Sequence, residues 1–148
     1  DLVGRKMPQS FGRLLRRFFH PVQEFIAVNQ ADESMQEFVF PLAKAFAKLQ
    51  QATAIIAQKG LKNPDEAGAA STDYLRQFAL VALAYMWCLM AQAAQKNLNE
   101  NKGDKNFHQS KLKTAQFFMA RVLPESDSKF KMVMAGGDTL MAVGEGEF

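Results

Sequence analysis

The sequence predicts an all-α fold, an up-down bundle of about four to five helices in one domain. The chain has 148 residues, 48% hydrophobic and 22% charged, which suffices for one domain with its own core. Apolar residues recur at helical spacing, and Pro, Gly and Asn divide the chain into helical segments. The longest segment, residues 63–98, has no proline beyond Pro64 and predicts the central helix of the bundle.

A short helix is predicted to begin at His20 and Pro21, because proline suits the first turn of a helix. Its apolar face follows the i, i+3, i+4, i+7 spacing and consists of Val22, Phe25, Ile26 and Asn29. The preceding residues 11–17 contain Gly12 and three arginines, and they predict a basic connector.

The next helix is predicted from Asp32, a suitable N-cap, to Lys59, with Gly60 closing it in the left-handed conformation. Pro41 lies inside this segment, and an internal proline costs about 3 kcal/mol in a helix, so we expect a break or kink at residues 38–40. Beyond the proline, one continuous buried stripe is predicted, formed by Leu42, Ala45, Phe46, Leu49, Ala52, Thr53 and Ile56.

The central helix has a well-marked start. Asn63 can cap its first turn, Pro64 fits the first helical position, and Asp65 and Glu66 favour the positive end of the helix dipole. A helix over residues 63–98 would be about 50 Å long at 1.5 Å per residue.

Small residues at positions 68–71 leave a surface of this helix on which another backbone can approach closely. Asp73 and Arg76 follow three residues apart, and their spacing predicts a structural ion pair on one helix face. In the functional alternative, Arg76 faces a partner and helps to seal an interface.

The remainder of the chain predicts two more helices. The polar residues 98–106 contain Gly103 and predict a loop. Helical spacing resumes over residues 107–122. Leu123, Pro124 and Glu125 both end that helix and start another, and residues 129–143 complete the bundle. The Gly- and Glu-rich residues 144–148 are expected to form a flexible tail.

Positive charge is concentrated at the start of the chain. The first 20 residues carry a net charge of +4, while the chain as a whole carries +3. The cations are Arg5, Lys6, Arg13, Arg16 and Arg17. They predict either a contact for a phosphate or an anionic surface, or a solvated interdomain face that meets acidic residues elsewhere. The later basic residues are interleaved with acids and no nucleic-acid-binding signature occurs, so nucleic-acid binding is not expected.

No residues of the chain predict catalysis, cofactor binding or a metal site. His20 and His108 have no neighbouring Cys or His at metal-ligand spacing. Cys88 lies between Trp87 and Leu89 in an apolar helix, which favours a core position over a reactive thiolate. The glycines at 136–137 and 144–146 neither follow a predicted strand nor precede a Lys-Ser/Thr pair, so they do not match a phosphate-binding loop.

Two features predict a cytoplasmic chain without a membrane span. A single cysteine allows no intrachain disulfide and suits a reducing compartment. The longest apolar run, residues 78–91, is shorter than the ~20 residues that a membrane-spanning helix needs.

Three segments carry a resemblance to a known family: LVGRKMP at residues 2–8, DEAGAASTDYLR followed by FALVALAYMW at residues 65–87, and KLKTAQFFMARVLPE at residues 111–125. The chain resembles the C-terminal helical extension of bacterial acyl-CoA dehydrogenases, in the branch of methylmercaptopropionyl-CoA dehydrogenase-like enzymes, over nearly its whole length. The resemblance implies that residues 1–17 are the end of a dehydrogenase helix and the connector, and residues 18–143 the extension.

The resemblance implies FAD and an acyl-CoA substrate for the parent enzyme, in which a glutamate abstracts the α proton while hydride passes to the flavin. That glutamate lies in a Tyr-Glu-Gly-Thr-like motif in many members, and the motif is not present here. Because the chain opens on Asp1 within a predicted helix, we expect an inactive fragment of a larger enzyme that packs on the dehydrogenase body or across a homo-oligomer. The alternative is a stand-alone helical module that binds an apolar helix or a lipid-like ligand.

Overall fold

The computed structural model describes residues 1–147, without the side chains of Ser10, Phe11 and Glu145, and shows helices but no strand in that range. The α-helices are α1 Arg13–Asn29, α2 Gln36–Lys62, α3 Pro64–Asn99, α4 Lys105–Phe117 and α5 Glu125–Ala135. The predicted all-α bundle is confirmed. The last residue of the expected tail, Phe148, lies outside the described residues.

Short helical turns accompany the five α-helices. A π-helical turn over Leu2–Lys6 and a 3-10 turn over Gln9–Gly12 precede α1. A second π-helical turn, Phe118–Val122, continues α4, and a 3-10 turn follows α5 at Glu145–Glu147.

The long helix α3 forms the centre of the bundle. It has 36 residues, about 54 Å at 1.5 Å per residue, and packs against α2, α4, α5 and the turn at Leu2–Lys6. Its buried side chains run along most of its length and include Tyr74, Leu80, Val81, Ala84, Cys88 and Ala91. The other helices therefore share one core with it.

The junction of α2 and α3 consists of one residue. Asn63 ends α2 and caps α3, where its side-chain oxygen accepts a hydrogen bond from the backbone N–H of Asp65 at 3.1 Å. The predicted start of the central helix is thus confirmed. The predicted role of Gly60 is wrong, because α2 continues to Lys62. A Cβ at Gly60 would lie 3.0 Å from the Cβ of Ala67, so this glycine instead lets α2 approach α3 closely.

The predicted start of α1 at His20 and Pro21 is wrong, since the helix begins at Arg13 and includes most of the predicted connector. Packing extends the helix: the ring of Phe18 lies 4.8 Å from that of Phe78 on α3. Pro21 is an interior residue and leaves the carbonyl of Arg17 without its helical donor, at an exposed position. The predicted apolar face is buried, with Ile26 half-buried.

Helix α2 begins at Gln36 rather than at Asp32. Asp32 instead accepts hydrogen bonds from the backbone N–H and the hydroxyl of Ser34, and so holds the turn before the helix. A break at residues 38–40 is wrong as well, because α2 runs continuously through Pro41, while a kink there stays a prediction. This proline lies near the start of α2 and affects only the carbonyl of Glu37, which is exposed. The predicted buried stripe is confirmed, with Thr53 half-buried.

The last helix begins where predicted and ends earlier. Helix α5 starts at Glu125, directly after Pro124, as the predicted helix start at residues 123–125 requires, and acidic residues in its first turn suit the helix dipole. It ends at Ala135 instead of residue 143, because Gly136 has φ 76° and ψ −171° and takes the chain out of the helix. Helix α4 starts near the predicted position and is capped by Asp104, whose carboxylate accepts from the N–H of Asn106 at 2.8 Å.

Candidate functional site

The structure divides the five N-terminal cations into two groups. In the first, the side chains of Arg5 and Lys6 both contact the carboxylate of Asp1, at 2.6 Å and 3.5 Å. The second group, Arg13, Arg16 and Arg17, lies in the first turns of α1 at i, i+3, i+4 spacing, and all three side chains are exposed. Arg16 is also engaged in an interaction within the chain.

The first turn of α1 is unfavourably charged. It has no acidic residue, and Gly12 at the N-cap has a left-handed backbone with φ 75° and no capping side chain. Arg13, the first residue of α1, therefore lies at the positive end of the helix dipole, where a cation is disfavoured by roughly 0.3–1 kcal/mol. An acidic group placed beside this turn would relieve the repulsion.

Beside this basic turn lies an apolar groove, which we call the Asp1 groove. Its volume is about 650 Å³, and its walls are the N-terminal segment, the C-terminal end of α2 and the N-terminal end of α3. The lining residues are Asp1, Val3, Gly4, Met7, Pro8, Gly12, Leu15, Thr53, Ile56, Ala57, Gly60, Leu61, Pro64, Ala67, Gly68 and Ser71. Four of them come from the first turns of α3, and two of these, Gly68 and Ser71, belong to the small residues at which the sequence predicted a close approach.

The polar side chains of the Asp1 groove are largely satisfied within the chain. The hydroxyl of Ser71 donates to the carbonyl of Ala67 at 2.7 Å. The hydroxyl of Thr53 donates to the carbonyl of Leu49 at 2.7 Å and also contacts the hydroxyl of Tyr74. The groove therefore offers mainly apolar walls, which suit apolar side chains or an aliphatic chain.

The predicted ion pair between Asp73 and Arg76 is replaced by two contacts with α5. Lys129 donates to the carboxylate of Asp73 at 3.1 Å, and Arg76 donates two hydrogen bonds to the carboxylate of Glu125, at 3.0 Å and 3.1 Å. A parallel pair of hydrogen bonds is the favoured arginine–carboxylate geometry. The hydrogen bonds from Arg76 lower the pKa of Glu125 and raise that of Arg76 itself. These side chains attach α5 to α3.

A third polar contact, which sequence analysis missed, ties the end of α5 to the junction of α2 and α3. One carboxylate oxygen of Glu66 accepts from the backbone N–H of Gly137 at 3.1 Å, and the other lies 3.6 Å from the ammonium of Lys59. Sequence reasoning assigned Glu66 to the helix dipole alone. The adjacent glycines after α5 were the available signal that a backbone N–H approaches another element.

The thiol of Cys88 is buried, as predicted, and donates to the carbonyl of Phe38 at 3.4 Å. Burial raises its pKa to about 12, so the thiolate is scarce at neutral pH. The imidazole of His20 lies 3.4 Å from Glu24 on the surface, and His108 packs against the ring of Phe107. Among the side chains that the structure describes, no three from His, Cys, Asp or Glu are grouped to hold a metal ion.

Helix α3 is long and apolar enough to cross a membrane by length and composition alone. Within its most apolar window, 39% is buried inside the bundle. A single helix of this kind is weak support for a membrane span, because the core helix of a soluble protein has the same properties.

Comparison with known proteins agrees with the resemblance drawn from the sequence. Residues 18–144 match the family model described as "Acetyl-CoA dehydrogenase C-terminal like". The 3-methylmercaptopropionyl-CoA dehydrogenase of Ruegeria pomeroyi is 30% identical over 146 aligned residues, which cover 95% of this chain. The chain spans 24% of the length of that relative. The chain therefore belongs to the family of acetyl-CoA dehydrogenase C-terminal-like domains.

Proposed function

We propose that this chain is the C-terminal structural and interaction domain of an FAD-dependent acyl-CoA dehydrogenase. The observation that carries the proposal is the 30% identity, over 95% of the chain, to part of a protein named 3-methylmercaptopropionyl-CoA dehydrogenase. The parent enzyme would introduce an α,β double bond into an acyl-CoA thioester. Its flavin and its catalytic glutamate would lie in the remainder of the polypeptide, the dehydrogenase body. The parent would be a cytoplasmic homo-oligomer.

The lining of the Asp1 groove does not by itself suit the pyrophosphate of a flavin dinucleotide. A pyrophosphate needs cations or free backbone N–H donors around it. The Asp1 groove has neither Lys nor Arg among its lining residues, and Asp1 adds a carboxylate to its wall. We therefore assign no flavin contact and no chemical step to this chain.

The cations of the first turns of α1 have two roles consistent with this proposal. Arg13 and Arg17 are exposed at the positive end of a helix that has no acidic residue in its first turn. They would contact acidic residues of the dehydrogenase body, or the phosphate groups of coenzyme A bound to the parent. Both partners are anionic, and both would relieve the repulsion within this turn.

The Asp1 groove also supports a second candidate function. Its volume of about 650 Å³ and its apolar walls would suit an apolar helix or a lipid-like ligand bound by a stand-alone module. Such a module would be monomeric with its groove open, whereas a detached enzyme domain would expose apolar surface and self-associate.

The test is to express the complete open reading frame that encodes this chain, together with the 148-residue chain alone. We expect the complete product to retain FAD and to reduce an electron acceptor only when an acyl-CoA is added. We expect the 148-residue chain to do neither. A complete product without flavin, or a flavin-binding and active 148-residue chain, would contradict the proposal.

A further inference from the structure

We propose that the Asp1 groove and the exposed face of α3 form one docking surface, which the dehydrogenase body of the same polypeptide covers. The proposal, which rests on the proposed function, names the surface by which the two parts of the enzyme meet. It combines the groove with a line of exposed side chains on α3. The exposed side chains on that line are Leu75, Ala79, Leu83, Met86, Met90 and Ala93.

The exposed face of α3 is apolar over most of the helix. Its members follow each other at spacings of three and four residues, so they share one side of the helix. The sequence has no charged residue between Arg76 and Lys96. Arg76 lies at the margin of the face and is held by Glu125. The face from Gly68 to Ala93 is about 37 Å long at 1.5 Å per residue.

The groove and the helix face are continuous. Gly68 lines the groove and precedes Leu75 by two helical turns, so both lie on the same side of α3, with Thr72 as the one exposed polar side chain between them on that side. At the other margin of the groove, Leu61 is 90% exposed despite its size. A contiguous exposed apolar surface of this extent marks an interaction site rather than an ordinary solvated surface.

Gly68 adds an independent observation. A glycine inside a helix destabilises it by roughly 0.5–1 kcal/mol relative to alanine. A Cβ at Gly68 would meet nothing within 4 Å, so no contact inside this chain requires a glycine there. A backbone or side chain that approaches α3 from outside would require it.

The position of Asp1 indicates which occupant covers the surface. Asp1 lines the groove, so polypeptide joined to its amino group would emerge from the groove wall. In the Ruegeria relative the matched region is 24% of the polypeptide, and the family is described as C-terminal, so most of that protein precedes the region. A body tethered there has an effective concentration of about millimolar, far above that of a free partner.

The test uses the complete polypeptide with the photoreactive residue p-benzoylphenylalanine in place of Leu61. The matched control carries the same residue in place of Phe107, which is 53% exposed on α4, outside the groove lining. A mixture of 14N- and 15N-labelled protein distinguishes crosslinks within one copy from those between copies. We expect position 61 to crosslink within its own copy to residues preceding Asp1, and the control not to.

Because the contact is tethered, the crosslinked fraction should stay constant over roughly hundredfold dilution. Gly68→Leu should abolish the crosslink, while Ser110→Leu, at an exposed position of α4, should leave it unchanged. Crosslinks to residues 1–148 of a second copy, to lipid in added phosphatidylcholine vesicles, or to nothing would overturn the proposal. Acyl-CoA-dependent reduction measured on the same preparation separates the two proposals, since a polypeptide without flavin can still show the contact.

Discussion

Replacing Gly136 with alanine should destabilise the fold by about 2 kcal/mol. Gly136 has φ 76° and ψ −171°, a region of the backbone map that is essentially restricted to glycine. A residue with a Cβ held in such a region costs roughly 1–3 kcal/mol. The conformation cannot relax freely, because the next residue, Gly137, donates its N–H to Glu66 at 3.1 Å.

Steric conflict should add little to this backbone strain. A Cβ at Gly136 would lie 3.1 Å from both the carboxylate of Glu66 and the ammonium of Lys59. Both atoms are the ends of flexible side chains and can move. Each kcal/mol lowers the melting temperature of a domain of this size by about 2–4 °C. Gly136→Ala should therefore melt several degrees below the wild-type chain.

Differential scanning calorimetry and urea unfolding of the 148-residue chain would measure the effect. Gly68→Ala is the matched control, since Gly68 is inside α3 and its Cβ would meet nothing within 4 Å. This control should gain roughly 0.5–1 kcal/mol from its better helix propensity. If Gly136→Ala were as stable as the wild type, the reasoning from the backbone conformation of Gly136 would be refuted.

Three further changes test the polar and buried groups of the bundle. Gln77 is fully buried, and its side-chain N and O atoms have no hydrogen-bond partner among the described residues. Gln77→Met should therefore raise the free energy of unfolding in urea by about 1–3 kcal/mol, and a decrease would contradict this. Burial raises the pKa of Cys88 from 9.0 to about 12, so the protonated thiol stabilises the fold below pH 9, and this stabilisation is lost as the pH rises to about 12. Over that pH range the free energy of unfolding should fall less for Cys88→Ala than for the wild type, and equal falls would refute the shift. Arg76 lowers the pKa of Glu125 below its ordinary 4.5, so the wild type should be more stable than Arg76→Gln above pH 4.5, and this difference should vanish as the pH falls further. Acid unfolding of both proteins would measure it, and a difference that does not change with pH would argue against the pair.

Local signals in the sequence predicted the fold class and the start of the central helix. Asn63 and Pro64 form a cap whose interactions lie within one turn, so the sequence contains all the information needed. Pro21 and Gly60 misled the assignment of helix ends, because both residues lie inside helices. At Pro21 aromatic packing outweighs the local preference, and at Gly60 the close approach of α3 explains the glycine.

The candidate site was less predictable than the fold. The spacing of Asp73 and Arg76 suggested a pair within one helix, while their partners lie on α5, about 50 residues later in the chain. The small residues around Gly68 predicted a close approach but not the Asp1 groove, whose walls come from three separate segments. Spacing rules describe neighbours on one element, and they contain no information about which elements become adjacent.

The single residue between α2 and α3 restricts how this domain can vary in length. A residue inserted between Lys62 and Asn63 would turn α2 by about 100° relative to α3, which would separate Gly60 from Ala67. The turn between α3 and α4 has exposed residues from Asn99 to Asp104 and can absorb extra residues without moving either helix. Evolution and engineering are therefore free to lengthen the bundle at the end remote from the Asp1 groove, and are constrained to a fixed length beside it.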